Sequence, residues 1–161
     1  MQSYVANSYL FTNFEIMGTL TKAKIHFFFQ QPIPLPGRSK LKAFIVDFFK
    51  KEGKSLKTLN YIFCSDQQLL KINQKFLHHD FFTDIITFNL SGFPKEIEGE
   101  IYISVTRVKE NALHLKVPFK EELFRVIFHG VLHLCGYEDN TRSKSALMRK
   151  KENQLLSGFL V

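Results

Sequence analysis

The chain has 161 residues, of which 45% are hydrophobic, and its 22 basic and 15 acidic side chains give a net charge of +7. This length suits one domain with a sizeable core. The charge indicates a polyanionic partner, and nucleic acid is favoured over a membrane because no apolar run could span a bilayer. Cys64 and Cys135 are too few for a disulfide framework, which predicts reduced thiols in a cytoplasmic protein.

The N-terminal region is predicted to stand apart from this domain. Residues 1–20 contain Asn, Ser and Thr without a hydrophobic period, which predicts a loose extension before a domain at residues 21–161. Met17 is a second candidate start of the chain. The first strand is predicted at residues 24–29, and the prolines that follow it exclude a helix until residue 38.

Two predicted helices are strongly basic. The first begins at Arg38, and residues 38–57 carry seven basic and two acidic side chains, a net charge of +5. The last, residues 142–156, carries five basic side chains against Glu152, a net charge of +4. Such charges commonly form only a solvated helix face, and RNA contact is the second interpretation.

Strands and helices alternate through the middle of the chain. Strands are predicted at residues 58–64, 83–88 and 100–104, and helices at 65–76, from 104 or 106 onwards, and from 118 to the histidines. Ser65 is a candidate N-cap and Pro118 suits a first helical turn. With no dinucleotide fingerprint and no phosphate loop, this alternation predicts one α/β or α+β layer around a short sheet.

The stretch with the clearest chemistry reads HxxxHxxGxxD. His129 and His133 are four residues apart, so one helix face can present both imidazoles to one metal ion. Gly136 can end that helix in a left-handed residue, and a chain that reverses there can carry Asp139 back to the ion. Three protein ligands and a place for water form a catalytic zinc site. The alternative is an amphipathic helix with two incidental histidines, but the full spacing favours the metal.

One residue that zinc peptidases need is missing from this stretch. Their HExxH pattern places a glutamate base directly after the first histidine, and here that place is Gly130. Peptide hydrolysis by that mechanism is therefore disfavoured, and another hydrolysis by metal-activated water is favoured. A metalloprotease is the least favoured of the alternatives.

The motif and its neighbours resemble a known family. Residues 129–137, HGVLHLCGY, are similar to the signature of the YbeY-type rRNA-maturation endoribonucleases. Further blocks fit in the same order, namely residues 83–88, residues 99–104, and Met148 with Glu152. The resemblance implies an α+β fold (α/β-like), with a short, mostly parallel four-stranded sheet surrounded by helices in a single domain.

The resemblance also implies a function. It implies a zinc-dependent, single-strand-specific endoribonuclease in 16S rRNA 3′-end maturation and ribosome quality control, with single-stranded rRNA and the small ribosomal subunit as partners. It implies one Zn²⁺ per chain on His129 and His133. The family commonly has a third histidine where this chain has Asp139. A carboxylate is an acceptable zinc ligand, and it makes another divalent metal possible.

The catalytic residues around the metal are less defined. Many family members carry an arginine at the position of Leu77, and His78, His79 or a basic residue elsewhere is a candidate replacement. Beside a metal-bound water, the weak candidates for proton transfer are His79, Glu100 and Glu138, and no general base is assigned. The missing arginine and the substituted third ligand support one rival hypothesis, a non-catalytic, metal-stabilised rRNA-binding ribosome-assembly factor. The sequence does not predict an oligomeric state.

Overall fold

A computed structural model of the chain describes residues 23–161, so the predicted N-terminal extension at residues 1–20 lies outside the described residues. The strands are β1 (Lys24–Phe29), β2 (Ser55–Cys64), β3 (Ile85–Asn89) and β4 (Glu96–Ser104). The helices are α1 (Arg38–Lys51), α2 (Asp66–Ile72), α3 (Val105–Leu115), α4 (Phe119–Leu134) and α5 (Arg142–Leu160). A π-helical turn, Asn73–Leu77, continues α2.

The strands form one sheet in the order β1-β2-β4-β3. β1, β2 and β4 are parallel, and β3 runs antiparallel to β4 at one edge. This confirms the α+β fold with a mostly parallel four-stranded sheet. β4 is longer than the five residues predicted, because its pairing with β2 already begins where Ser55 lies opposite Glu96.

Local sequence signals start the helices close to where they were expected. Ser65 and Gln68 form a capping box at the start of α2, and the hydroxyl of Ser104 accepts from the backbone N–H of Arg107 at the start of α3. Pro118 lies one residue earlier than predicted, directly before α4 instead of inside its first turn. Each of these helix starts is determined by residues within one helical turn of it.

α5 is longer than the predicted residues 142–156 because its last turn has an aromatic anchor. Phe159 is buried, with its ring centroid 4.7 Å from that of Phe124 and 5.7 Å from that of Phe128. Burying such a ring offsets the entropy of ordering one more turn of helix. The C-terminal helix is thereby packed along α4.

The two faces of the sheet have different surroundings. On one face Leu59, Tyr61 and Phe63 of β2 join the main core with α1, α4 and α5. On the other face Cys64 and Ile86 form a small cluster with α2. Along the parts of the chain that are described, no helix combines the length and apolarity needed to cross a bilayer.

Helix α4 lies very close to the sheet because of a glycine. A Cβ atom built on Gly130 would lie 2.8 Å from Ile101 Cδ1 and 3.0 Å from Ile85 Cδ1. Real Cβ atoms almost never approach other atoms that closely, so a side chain at this position would force Ile101 and Ile85 to shift. A residue at the place of the peptidase glutamate would therefore press on the sheet.

We expect Gly130→Ala to lower the free energy of unfolding by about 1–3 kcal/mol, since overpacking outweighs the better helix propensity of alanine. Gly158→Ala is the matched control, because Gly158 is also helical and its nearest neighbour, Phe44, lies at an ordinary 3.7 Å. That change should stabilise the protein by about 0.5–1 kcal/mol. Chemical denaturation measures both, and a stabilising Gly130→Ala would contradict the close packing.

Candidate metal centre

The structure brings together the three residues predicted as ligands. His129 and His133 lie near the end of α4 with their Nε2 atoms 2.9 Å apart. Asp139 Oδ2 lies 3.6 Å from the first of these nitrogens and 4.0 Å from the second. Two imidazoles and one carboxylate thus converge on a single point.

The turn after α4 returns Asp139 to the histidines. Gly136 has φ +94°, in the left-handed region where a Cβ atom is strained. Its N–H donates to the carbonyl of His133 (2.9 Å), and the N–H of Tyr137 donates to the carbonyl of Leu132 (3.1 Å). These two bonds are a Schellman motif, which ends the helix and reverses the chain.

The other ring nitrogens have fixed partners. His133 Nδ1 lies 3.0 Å from the carbonyl oxygen of Tyr137, which can only accept, so this nitrogen carries the proton. His129 Nδ1 donates in the same way to the carboxylate of Glu152, at 2.7 Å. Both neutral rings therefore direct their Nε2 lone pairs at each other and at Asp139. Such a cluster of acceptors is favourable only around a cation.

The two rings differ in their affinity for a proton. Burial lowers the pKa of His129, but the hydrogen bond and the charges of Glu152 and Asp139 outweigh it, and the net pKa is raised above its ordinary value. Burial and the nearby charge of His129 lower the pKa of His133. A metal ion bound at the two Nε2 atoms would compete with protons for these nitrogens.

The donor set fits zinc. Zinc holds nitrogen and oxygen ligands at about 2.0–2.2 Å in a tetrahedron, which puts two ligand atoms about 3.3–3.6 Å apart. The separations of 2.9, 3.6 and 4.0 Å lie around that range, so small side-chain shifts would complete the site. Asp139 is exposed, which leaves one side of the cluster open to solvent or substrate.

Buried charges behind the histidines are compensated by two arginines. Glu152 is only 4% exposed, and its Oε2 lies 3.0 Å from Arg149 Nη1 and 3.7 Å from Arg125 Nη1. Arg125 Nε also lies 3.6 Å from the buried carboxylate of Glu122, whose pKa is raised by burial. Charged groups in this environment must be paired to be stable.

The sequence does not predict these supporting residues. For Glu152, the 23-residue separation from His129 across two helices leaves no periodic signal. Glu122 has the local signal of an acidic residue in a first helical turn. It precedes His129 by two turns, and that spacing was the available sign of a shared face. Asp84 also borders the site, and its carboxylate accepts from Asn111 Nδ2 at 3.0 Å.

The weak catalytic candidates lie at different distances from the predicted metal ligands. His79 lines a cleft of about 350 Å³ together with the three predicted ligands, and Leu77 lines it too. Glu138 is exposed, and the hydrogen bond and charge of Lys144 lower its pKa.

Glu100 is not brought to the cluster. It alternates with Ile101 on β4 and faces the side of the sheet away from α4. There its carboxylate accepts from the hydroxyl of Tyr102 at 2.8 Å and from Asn60 Nδ2 at 3.4 Å. Of the three candidates, only His79 shares the cleft.

We expect Glu152→Gln to weaken zinc binding by about 10- to 100-fold, because the amide no longer fixes the His129 tautomer as an anionic acceptor does. Competition with a chromophoric chelator at constant pH measures this affinity. Glu110→Gln on α3 is the control, since Glu110 is exposed and pairs only with Arg107. Equal affinities in both variants would contradict the role of Glu152.

Added zinc should raise the melting temperature of the wild-type protein, because binding to the folded state alone stabilises it. His133→Ala removes one of the three ligands and should abolish most of that increase. Differential scanning fluorimetry with and without zinc makes the comparison. An undiminished increase in the variant would place the stabilising ion elsewhere.

Comparison with known proteins assigns the chain to a family. The model of the family "Endoribonuclease YbeY" matches residues 35–160. Proteins named endoribonuclease YbeY from Flavobacterium psychrophilum and Cytophaga hutchinsonii are 54% and 46% identical to this chain. The first match covers 68% of this chain and 78% of that protein, and the second covers 84% and 96%.

A solved structure agrees with this assignment. The solution structure of TM1509 from Thermotoga maritima has a TM-score of 0.57 and 28% sequence identity, and the match covers 84% of this chain and 88% of that one. The residues that the family model matches include His129, His133, Asp139, Glu122 and Glu152. The chain belongs to the endoribonuclease YbeY family.

Proposed function

We propose that this protein is a zinc-dependent endoribonuclease that cuts single-stranded RNA in 16S rRNA 3′-end maturation and ribosome quality control, and that it acts in the cytoplasm on the small ribosomal subunit. The observation that carries the proposal is the convergence of His129, His133 and Asp139 at a solvent-open cleft. The names of its relatives support RNA as the substrate.

The residues of the chain would divide the work between holding the metal and holding the RNA. A divalent ion held by His129, His133 and Asp139 would supply Lewis acidity toward a phosphate oxygen and a more acidic water. Glu152 and the carbonyl of Tyr137 keep the two imidazoles in the tautomer that binds a cation. Replacing a neutral third ligand with Asp139 lowers the net positive charge at the ion and makes it a weaker Lewis acid.

Arg149 is our proposed contact for the RNA phosphate. Its Nη1 pairs with Glu152 at 3.0 Å, but the side chain is 57% exposed and lines a second cavity of about 260 Å³ together with His129 and Asp139. Arg125 also borders this cavity, but it is largely buried and engaged by Glu121, Glu122 and Asn153. A guanidinium binds phosphate oxygens well, and Leu77 in the first cavity cannot.

The test of the activity is cleavage of a single-stranded RNA by the purified protein. Chelator treatment and His133→Ala should each reduce cleavage at least 100-fold, since each removes the metal or its ligand, and zinc should restore only the chelated wild type. Untreated wild type and Glu110→Gln serve as controls. Equal cleavage in all samples would remove the metal centre from the chemistry.

Arg149→Gln should raise KM for single-stranded RNA several-fold and reduce the slope of log affinity against log salt by about 1, because one phosphate contact is lost. Lys150→Gln is the matched control, since Lys150 is the next residue on α5 and does not line the cavities at the metal centre. Binding is measured at several salt concentrations. Equal slopes for the two variants would argue against a phosphate contact at Arg149.

Two rival functions make different predictions. A non-catalytic rRNA-binding assembly factor, favoured by Leu77 and by Asp139 as third ligand, would bind RNA tightly without turnover in the same assay. A metalloprotease of the HExxH type is disfavoured because Gly130 stands where that pattern has its glutamate base and supplies no carboxylate. Chelator-sensitive digestion of casein would revive that second alternative.

A further inference from the structure

Two exposed aromatic rings lie beside the metal centre without a role in the core. His79 and Phe81 stack on each other, with centroids 5.0 Å apart and an angle of 22° between the ring planes. Phe81 is 58% exposed. Both residues line the cleft that also contains the ligands His129, His133 and Asp139. A large apolar ring that remains in solvent at a cleft is a sign of a binding surface.

The backbone that carries the two rings is held rigidly. Asn73 is only 1% exposed, and its side-chain Nδ2 donates to the carbonyl of Phe81 at 2.8 Å. The carbonyl of the same asparagine accepts from the N–H of His79 at 3.3 Å. Gln74 also donates to Asp80 at 2.6 Å. One buried residue thus holds both ends of the short segment between the rings, the first through its backbone carbonyl and the second through its side chain.

The chain adopts unusual conformations to place this segment. α2 widens into a π-helical turn at Asn73–Leu77, and His78 then takes φ 56° in the left-handed region. A π-helical turn and a left-handed non-glycine residue both cost conformational energy and are frequent at functional sites. The cost is offset by the hydrogen bonds of Asn73, which orient the rings toward the cleft.

The segment that carries the two rings continues to Phe82, which packs against α3. The guanidinium of Arg107 lies 4.7 Å from the ring centroid of Phe82, and Asp66 holds that guanidinium at 3.1 Å. Phe82 is thereby used for packing, whereas His79 and Phe81 keep their outer faces free of such a partner among the described aromatic and cationic contacts. The loop is a preformed surface with two available ring faces.

We propose that His79 and Phe81 form a stacking platform for an unpaired nucleobase of the RNA, next to the phosphate that the metal centre acts on. This inference rests on the proposed function and adds the reason for single-strand selection. Every base has a π-face that stacks on aromatic side chains, whereas a base inside a duplex is already stacked on both sides. The net charge of +7 favours RNA over other occupants of an aromatic surface.

The geometry specifies how the base binds. The two centroids are 5.0 Å apart, and a third ring between them would need about 7 Å at ordinary contact distances. The base therefore extends the stack on its outer face and does not insert into it. His79, a candidate for proton transfer by sequence, becomes a positioning residue that supports Phe81 and the base.

The test uses a single-stranded RNA labelled with 2-aminopurine, whose fluorescence is quenched when the base stacks, and follows binding by stopped flow before turnover. Phe81→Ala should weaken binding roughly 5- to 100-fold and abolish the quenching, and His79→Ala should act in the same direction. Phe81→Tyr keeps a ring and should retain both signals. Affinity for a duplex of the same sequence should be unchanged in every variant.

Phe93→Ala is the matched control, because Phe93 is 70% exposed in the β3–β4 connection and does not line the cleft. Zinc content and the circular dichroism spectrum, measured on each variant, report whether the metal centre and the fold are intact. Wild-type binding and quenching by folded Phe81→Ala and His79→Ala proteins would overturn the platform. An equal loss of single-stranded and duplex binding would also overturn it.

Cleavage in parallel samples separates this inference from the proposed function. If the wild type cleaves RNA and the alanine variants bind and quench normally, the platform is wrong and the nuclease stands. If the wild type binds and quenches without cleavage, the platform stands and the nuclease is wrong.

Discussion

The hydrogen bond between His129 and Glu152 is the interaction on which the site depends. It joins α4 to α5, it buries a carboxylate that two arginines must neutralise, and it leaves the Nε2 lone pair of His129 free to face a cation. The carbonyl of Tyr137 does the same for His133, and it is placed there by the turn at Gly136. The candidate metal centre therefore lies at the junction of one helix, its C-terminal turn and a second helix. Histidines that bind metals almost always have such a fixed partner on the other ring nitrogen.

The close approach of α4 to the sheet has a chemical consequence. Gly130 lets the helix rest on Ile101 and Ile85, which positions the histidines at the end of the sheet. A side chain at the place of the glutamate that zinc peptidases use as a base would press on the same two isoleucines. One residue thus permits the close packing of α4 and also lacks the carboxylate of the peptidase pattern.

The surroundings of the metal centre are asymmetric. On one side the cleft is aromatic and carries His79 and Phe81, and on the other side a cavity carries the exposed guanidinium of Arg149. This division matches the two parts of a nucleotide, a flat base and an anionic phosphate. Our proposals assign the base to the first side and the phosphate to the second. In that arrangement Leu77 is an uncharged residue that lines the aromatic cleft, and no cation is needed at its position.

Elements whose signals are local can be predicted from the sequence alone. The spacing of His129 and His133, the glycine at 136 and the caps at Ser65 and Ser104 all act within about two helical turns, and the structure has each of them where it was expected. The four-stranded sheet and the ligand set followed from resemblance to a family and not from periodicity. Three relations are visible only in the folded chain: Glu152 supports His129, Glu100 faces the opposite side of the sheet, and Phe81 lies beside the predicted ligands. Those relations join residues that are far apart in sequence, and strand register, helix crossing and loop anchoring create them only when the chain is folded.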